Sequence, residues 1–214
     1  MDLEIRKQSL MSDSEYSMSF TTGGLFLIEA TAVAEAYLHT KNWDEVKTLV
    51  SKNNKIQAKT RASLDRSLRE IVLRLRQLND SELELLVKGS TTDRRQLLWI
   101  SACRKHRFIR EFAVEVIREK HLHFQPIVAH KDFDMFFNQK AEWHSELDKL
   151  TMSTLKKIRQ VLFRMLKEAE IVMSNDIINN IYISKALAKT LGKNCRRELT
   201  VFPLTDEQIR KITE

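Results

Sequence analysis

The feature that most constrains this chain is its poverty in chain-breaking residues: 4 glycines and 2 prolines among 214 positions. Sheet-rich folds turn every few residues and draw on Gly and Pro to do it, so the expected fold class is mainly α. The length suffices for one large domain or two small ones with a real core. The longest apolar runs, such as Gly24–Ile28 and Leu97–Ile100, are far too short to cross a bilayer. Met1–Leu10 is charged and has no apolar segment of the signal-peptide kind. Cys103 and Cys195 lie far apart without metal-ligand spacing. Reduced thiols in a cytoplasmic protein are therefore expected.

The net charge of +7 is unevenly placed. Residues 151–197 hold ten Lys/Arg against three Asp/Glu, and residues 52–76 hold eight against two. Between them Asp132–Lys149 carries five carboxylates and two lysines. Such asymmetry points to surfaces that attract polyanions, with solvated helix faces as the bland alternative.

Along the chain, residues 1–17 read as a flexible N-terminal segment, 18–125 as a helical bundle, and 126–214 as a second lobe with a C-terminal tail. Ser19–Gly24 supplies a turn before a helix in which Leu25, Ile28, Ala32 and Ala36 face the core. The Gly23–Gly24 pair is not a phosphate loop, because no strand precedes it and neither GxGxxG nor GK[ST] is present. Helices follow at Trp43–Ser51 and Ala62–Leu78, the latter with Leu64, Leu68, Ile71, Leu75 and Leu78 at helical spacing. Ser81–Glu84 reads as a capping box, and Gly89 as a stop. Arg94–Lys120 is the most apolar long segment, and its first half carries Arg104, Lys105 and Arg107 as candidate polyanion contacts. Pro126 breaks the pattern. Asp132 then caps a helix through Leu147 that turns Phe133, Phe136, Phe137, Ala141, His144 and Leu147 inward.

The segment Thr154–Ala169 is decisive. Leu155, Ile158, Leu162, Met165, Leu166 and Ala169 fall within about 100° of helical arc, an apolar stripe. Lys156, Lys157, Gln160, Arg164 and Lys167 occupy an opposite arc of about the same width. Phe163 sits at the edge of that basic face. Ile171–Met173 and Ile177–Ile178 flank Ser174-Asn175-Asp176, good chemistry for a short β-hairpin. Ser184–Leu191 reads as helix with Gly192 as its stop, Leu199–Phe202 as extended, and Thr205–Gln208 as a capping box.

Helix, short turn, basic amphipathic helix and polar-tipped hairpin is the element order of a winged helix-turn-helix, whose second helix enters the DNA major groove. Long cationic side chains reach phosphates, Gln160 has the chemistry to read a base edge, and Ser174 and Asn175 suit phosphate oxygens. Catalytic and cofactor chemistry finds no support. His106, His121 and His123 lack metal-site spacing, and His130–Asp134 reads as a helix start. His144 reads as a core histidine. There is no GxSxG elbow and no cysteine in a nucleophile context, so no enzyme, metal or cofactor is expected. Trp43, Trp99, Trp143 and most phenylalanines fall beside apolar stripes and read as core.

Four blocks in order, SFTTGGLFLIEATAVAEAYL, the NWDEVKTLV to LREIVLRL stretch, LLWISACRKHRFIREFAVEVIREKHL and DFDMFFNQKAEWHSELDKLTMSTLKKIRQVLFRMLKEAEIV, resemble the BrxA family of BREX (bacteriophage exclusion) defence systems. The resemblance runs from about Ser19 to about Phe202. It implies a NusB-like helical body, a winged-helix element, non-catalytic binding to double-stranded DNA, a place beside a methyltransferase and an ATPase in a phage-defence operon, and other BREX proteins as partners, the methyltransferase or the ATPase being the candidates. An adaptor that docks on acidic surfaces of those proteins is the alternative, and RNA binding by analogy with NusB is a third reading. The family has no short catalytic motif to carry across.

Overall fold

The computed structural model describes residues 15–52 and 60–214. Residues 1–14 of the expected flexible segment, and Lys55 and Lys59 of the basic stretch 52–76, lie outside them. The described chain is almost wholly helical, with two isolated antiparallel bridges in place of strands. None of its helices is long and apolar enough to cross a membrane.

Helix α1 (Leu27–Thr40) starts from Phe26, whose φ of 60° reverses the chain. Its buried face is Ala30, Val33 and Ala34, while Ile28, expected inside, is 79% exposed. The left-handed entry at Phe26 shifts the helix's phase relative to a stripe begun at Leu25. Helix α2 (Trp43–Lys52) and α3 (Arg61–Leu75) pack on α1 as the apolar spacing requires. Helix α4 (Asp80–Lys88) is opened by Asn79 and Glu82, which cap each other's backbone N–H at 3.0 and 2.9 Å. The capping box thus lies two residues before the expected Ser81–Glu84, because Asn79 is the first residue here with a short polar side chain and extended backbone. A second box, Ser90 with Asp93, opens α5 (Thr91–Lys105).

The expected helix Arg94–Lys120 is two helices. His106 adopts extended backbone between α5 and α6, where its buried ring meets Glu70 of α3 at 2.7 Å. Helix α6 runs through Arg107–Phe112, a π-helical stretch Ala113–Arg118, and Glu119–Leu122. Helix α7 (His130–Ala141) begins three residues earlier than expected, with Asp132 on its first turn accepting from Ala129 N at 2.7 Å. It stops at Ala141; His144 leaves the helical region and α8 (Ser145–Asp148) resumes. Trp143, expected in the core, falls in that break and is 84% exposed. His144 is partly buried and meets Glu146 at 3.0 Å.

Helix α9 (Met152–Glu168) is capped by Thr151, whose Oγ1 accepts from Thr154 N at 3.2 Å. After the hairpin segment come α10 (Lys185–Leu191), α11 (Cys195–Glu198) and α12 (Asp206–Thr213), the last opened by the expected Thr205–Gln208 box. Leu199–Val201, expected as extended, is a buried 3₁₀ turn, since Trp99 Nε1 donates to Val201 O at 3.0 Å and fixes it there. One cluster of buried side chains runs from Tyr16 and Phe20 through Trp99, Phe108 and Phe133 to Leu162, Phe202 and Ile209.

Candidate nucleic-acid interface

Helix α9 divides as its spacing predicts. Ile158, Val161, Leu162, Phe163, Met165 and Leu166 are buried, and Lys156, Lys157, Gln160, Arg164 and Lys167 are exposed. Phe163 belongs to the core side, with its ring edge-on to His130 at 4.8 Å. Arg159, just outside that arc, is not available. Both oxygens of Asp134 on α7 accept from its Nη1 at 2.6 and 2.7 Å, which locks the two helices together.

The end of α9 sets the direction of the hairpin. Glu170 takes a left-handed conformation (φ 58°), and Ile171 N donates back to Leu166 O at 3.0 Å while Glu170 N donates to Lys167 O at 3.0 Å. That paired closure is a Schellman motif made without glycine. The chain then doubles back. Met173 N donates to Ile177 O at 2.8 Å across a three-residue loop, Ser174-Asn175-Asp176, whose last residue has φ 63°. This is the three-residue hairpin with a left-handed final position. Ile178 N donates to Pro126 O at 2.7 Å and Val128 N to Asp176 O at 2.9 Å, so the segment before α7 adds a third row.

Ser174 and Asn175 are exposed at the hairpin tip. Lys167 reaches from α9 to that tip, pairing with Asp176 at 2.9 Å. Lys157 donates to Gln160 at 3.1 Å. Among the described residues, Lys156, Lys157 and Arg164 have no carboxylate within ion-pair distance. Lys156 and Arg164, with His130, Gln160, Lys167, Glu168 and Asp176, line an open cleft of about 690 Å³ between α9, the start of α7 and the hairpin.

The second predicted basic cluster is built differently. Arg104 donates through Nη1 and Nη2 to Glu82 at 2.8 and 2.7 Å, and to Gln77 O at 2.8 Å. Its hydrogen bonds and the neighbouring Glu198 carboxylate hold it within the helical body. Arg107 pairs with Glu111 at 2.5 Å and lies over the Tyr16 ring. Lys105 is half-buried. The structure therefore gathers Lys156, Lys157, Gln160, Arg164, Lys167, Ser174 and Asn175 on one helix–hairpin unit, and uses Arg104 and Arg107 for internal pairing. Sequence spacing missed the pairing of Arg104 because its partners, Glu82 and Glu198, lie far away along the chain. No group of three or more metal-ligating side chains occurs among the described residues.

Fold and site together define a class: a helical protein that turns one amphipathic helix and a hairpin tip outward as a cationic, hydrogen-bonding surface. The chain belongs to the BrxA family, whose sequence model matches residues 14–195. It is 24% identical over 160 residues to the BREX protein BrxA of Escherichia coli O9:H4 (strain HS), covering 75% of each chain. It is 26% identical over 125 residues to the BREX protein BrxA of Bacillus cereus (strain H3081.97), covering 58% of this chain and 62% of the relative. The same fold is found in a crystal structure of an uncharacterized protein from Magnetospirillum magneticum, with a TM-score of 0.77 and 20% identity over 92% of this chain and all of the other.

Proposed function

We propose that this protein is a non-enzymatic, double-stranded DNA-binding component of a BREX phage-defence system, and that α9 and the following hairpin form the DNA-binding unit. The observation that carries the reading is the division of α9 into a buried apolar face and an exposed face with three cations that have no carboxylate partner among the described residues. A cation already paired must give up its partner to meet a phosphate. Lys156, Lys157 and Arg164 need not, so their contacts come at least cost.

In this reading α7 and α9 are a helix-turn-helix pair, braced by Arg159–Asp134, and the hairpin is the wing. Helix α9 lies along the groove with Gln160 toward base edges, while Ser174 and Asn175 meet the backbone. Point charges outnumber base-reading groups, so binding is mainly sequence-neutral. Family membership and the names of the relatives support the place in BREX.

The test is fluorescence anisotropy of a labelled duplex at several salt concentrations, with wild type and the combined Lys156→Glu, Lys157→Glu, Arg164→Glu, Lys167→Glu variant. Three or four phosphate contacts give a slope of log K against log salt of about −3 to −4. The variant is expected to lose that slope and most of the affinity. Duplex binding unchanged in the variant refutes the assignment of α9. Co-purification of other BREX proteins through this same face would favour an adaptor instead.

A further inference from the structure

Away from α9, the C-terminal helices enclose a groove of about 890 Å³ bordered by α10 and α12. Ser184 fixes its geometry: Oγ accepts from Leu187 N at 3.0 Å and donates to Asp93 of α5 at 2.6 Å. Leu187 and Leu191 bury the inner face of α10, which leaves Lys185 and Lys189 exposed one turn apart. Gly192 then bends the chain, and Lys193 and Arg196 continue along the same groove, both exposed. Among the described residues none of these four cations has a carboxylate within ion-pair distance, whereas Lys211 on the opposite wall is held by Glu207 at 2.7 Å. The lining contains one carboxylate residue, Glu214. Tyr182 completes it. Its carbonyl is held by Gln96 Nε2 at 2.8 Å, and the residue is 75% exposed, with the ring in solvent.

We infer that this groove binds a single strand of nucleic acid, with Lys185, Lys189, Lys193 and Arg196 on the phosphates and Tyr182 stacking on a base. Four cations that line one concavity without a carboxylate partner among the described residues call for a polyanion. A groove of about 890 Å³ is on the scale of a small-molecule pocket and takes in a strand with its bases splayed. An exposed aromatic beside a cationic channel is the arrangement that holds single strands, because every base offers a π-face. The site shares no residue with α9, so it stands or falls separately from the duplex-binding reading.

The experiment is anisotropy of a labelled oligothymidylate of about 12 nucleotides, within the usual site size for such grooves. Wild type is expected to bind with a salt slope near −3, from about −0.7 per phosphate. Tyr182→Ala is expected to weaken binding about tenfold with the slope retained. The combined Lys185→Gln, Lys189→Gln, Lys193→Gln, Arg196→Gln variant is expected to lose the slope, and all of these side chains are exposed, so circular dichroism should be unchanged. Duplex binding should survive Tyr182→Ala. No binding of the oligonucleotide by wild type overturns the inference. So does binding abolished by the α9 charge reversals and untouched by the groove variants. Sensitivity to the four cations without sensitivity to Tyr182 overturns the single-strand assignment, since backbone contact alone would then explain the groove. Duplex binding that is insensitive to the α9 reversals, together with strand binding that tracks the groove variants, would refute the proposed function and leave this inference standing.

Discussion

At the scale of single residues, the group that organises the body is the Glu70 carboxylate. It meets His106 Nε2 and Arg74 Nε, each at 2.7 Å, while Arg74 Nη1 donates to Gly24 O at 2.7 Å. Three distant stretches of chain therefore meet at one buried Glu70–Arg74 pair. Burial alone would push Glu70 up. The hydrogen bond from His106 and the charge of Arg74 outweigh it and hold the carboxyl down at about 2, against an ordinary 4.5. Because the folded value is the lower one, Glu70 contributes its full stabilisation above pH 4.5, and that contribution is lost as pH falls towards 2. Urea midpoints at pH 7 and pH 3 should thus converge between wild type and Glu70→Gln, with the variant less stable by roughly 3 kcal/mol at neutral pH. A gap that does not narrow on acidification would show that Glu70 is not the titrating group. None of this was legible in the sequence, where Glu70 and Arg74 form an ordinary i,i+4 surface pair and His106 stands in a run of cations. Burial of all three depends on tertiary packing that periodicity does not report.

At the scale of elements, α9 was the most legible part, since seventeen residues of regular alternation between apolar and cationic faces admit little else. Its ends were less so. The stop at Glu170 carries no glycine, and the left-handed turn there is held by Schellman hydrogen bonds and by the ion pair from Arg95. Spacing sufficed to tell that Lys156, Lys157, Gln160, Arg164 and Lys167 stand in solvent, though not that Phe163, at the edge of that face, is buried. It did not suffice at Arg104 and Arg107, whose exposure depends on carboxylates carried by other turns and helices. Asp134→Asn should cost about 1–2 kcal/mol in a thermal or urea melt by loosening α7 from α9. It should also weaken duplex binding, although the loss of a negative charge would by itself favour a polyanion; a gain in affinity would mean that the brace does not position α9. At the end of α10, Gly192 has φ 54° and ψ −131°, a region that side chains rarely enter. Nothing lies within 4 Å of where a Cβ would stand, so Gly192→Ala isolates backbone strain. A loss of about 1–3 kcal/mol is expected in chemical denaturation; a neutral result would mean that the turn can relax.

At the scale of the whole molecule, helical class followed directly from the scarcity of Gly and Pro, while helix boundaries did not. The long segment Arg94–Lys120 breaks at His106, and the helix expected through Leu147 breaks after Ala141, because side chains at both corners find partners off the helix. Tyr16 is an extreme case. Its backbone N–H donates to Glu146 at 2.7 Å and its hydroxyl bonds Glu111, so a residue read as part of a flexible tail instead ties α6 to α8. Core residues on both sides of residue 125 belong to one buried cluster. Far-ultraviolet circular dichroism and tryptophan fluorescence should therefore report the same denaturation midpoint. Separate midpoints would mean that the two halves open independently. The same core encloses Cys103, whose thiol burial pushes up in pKa, and Cys195 is buried as well. Native thiols shut away in this manner leave the outside chemically quiet. A single cysteine introduced at the hairpin tip would take a dye almost alone, and the slow labelling of Cys103 would serve as a clock for how often the body opens.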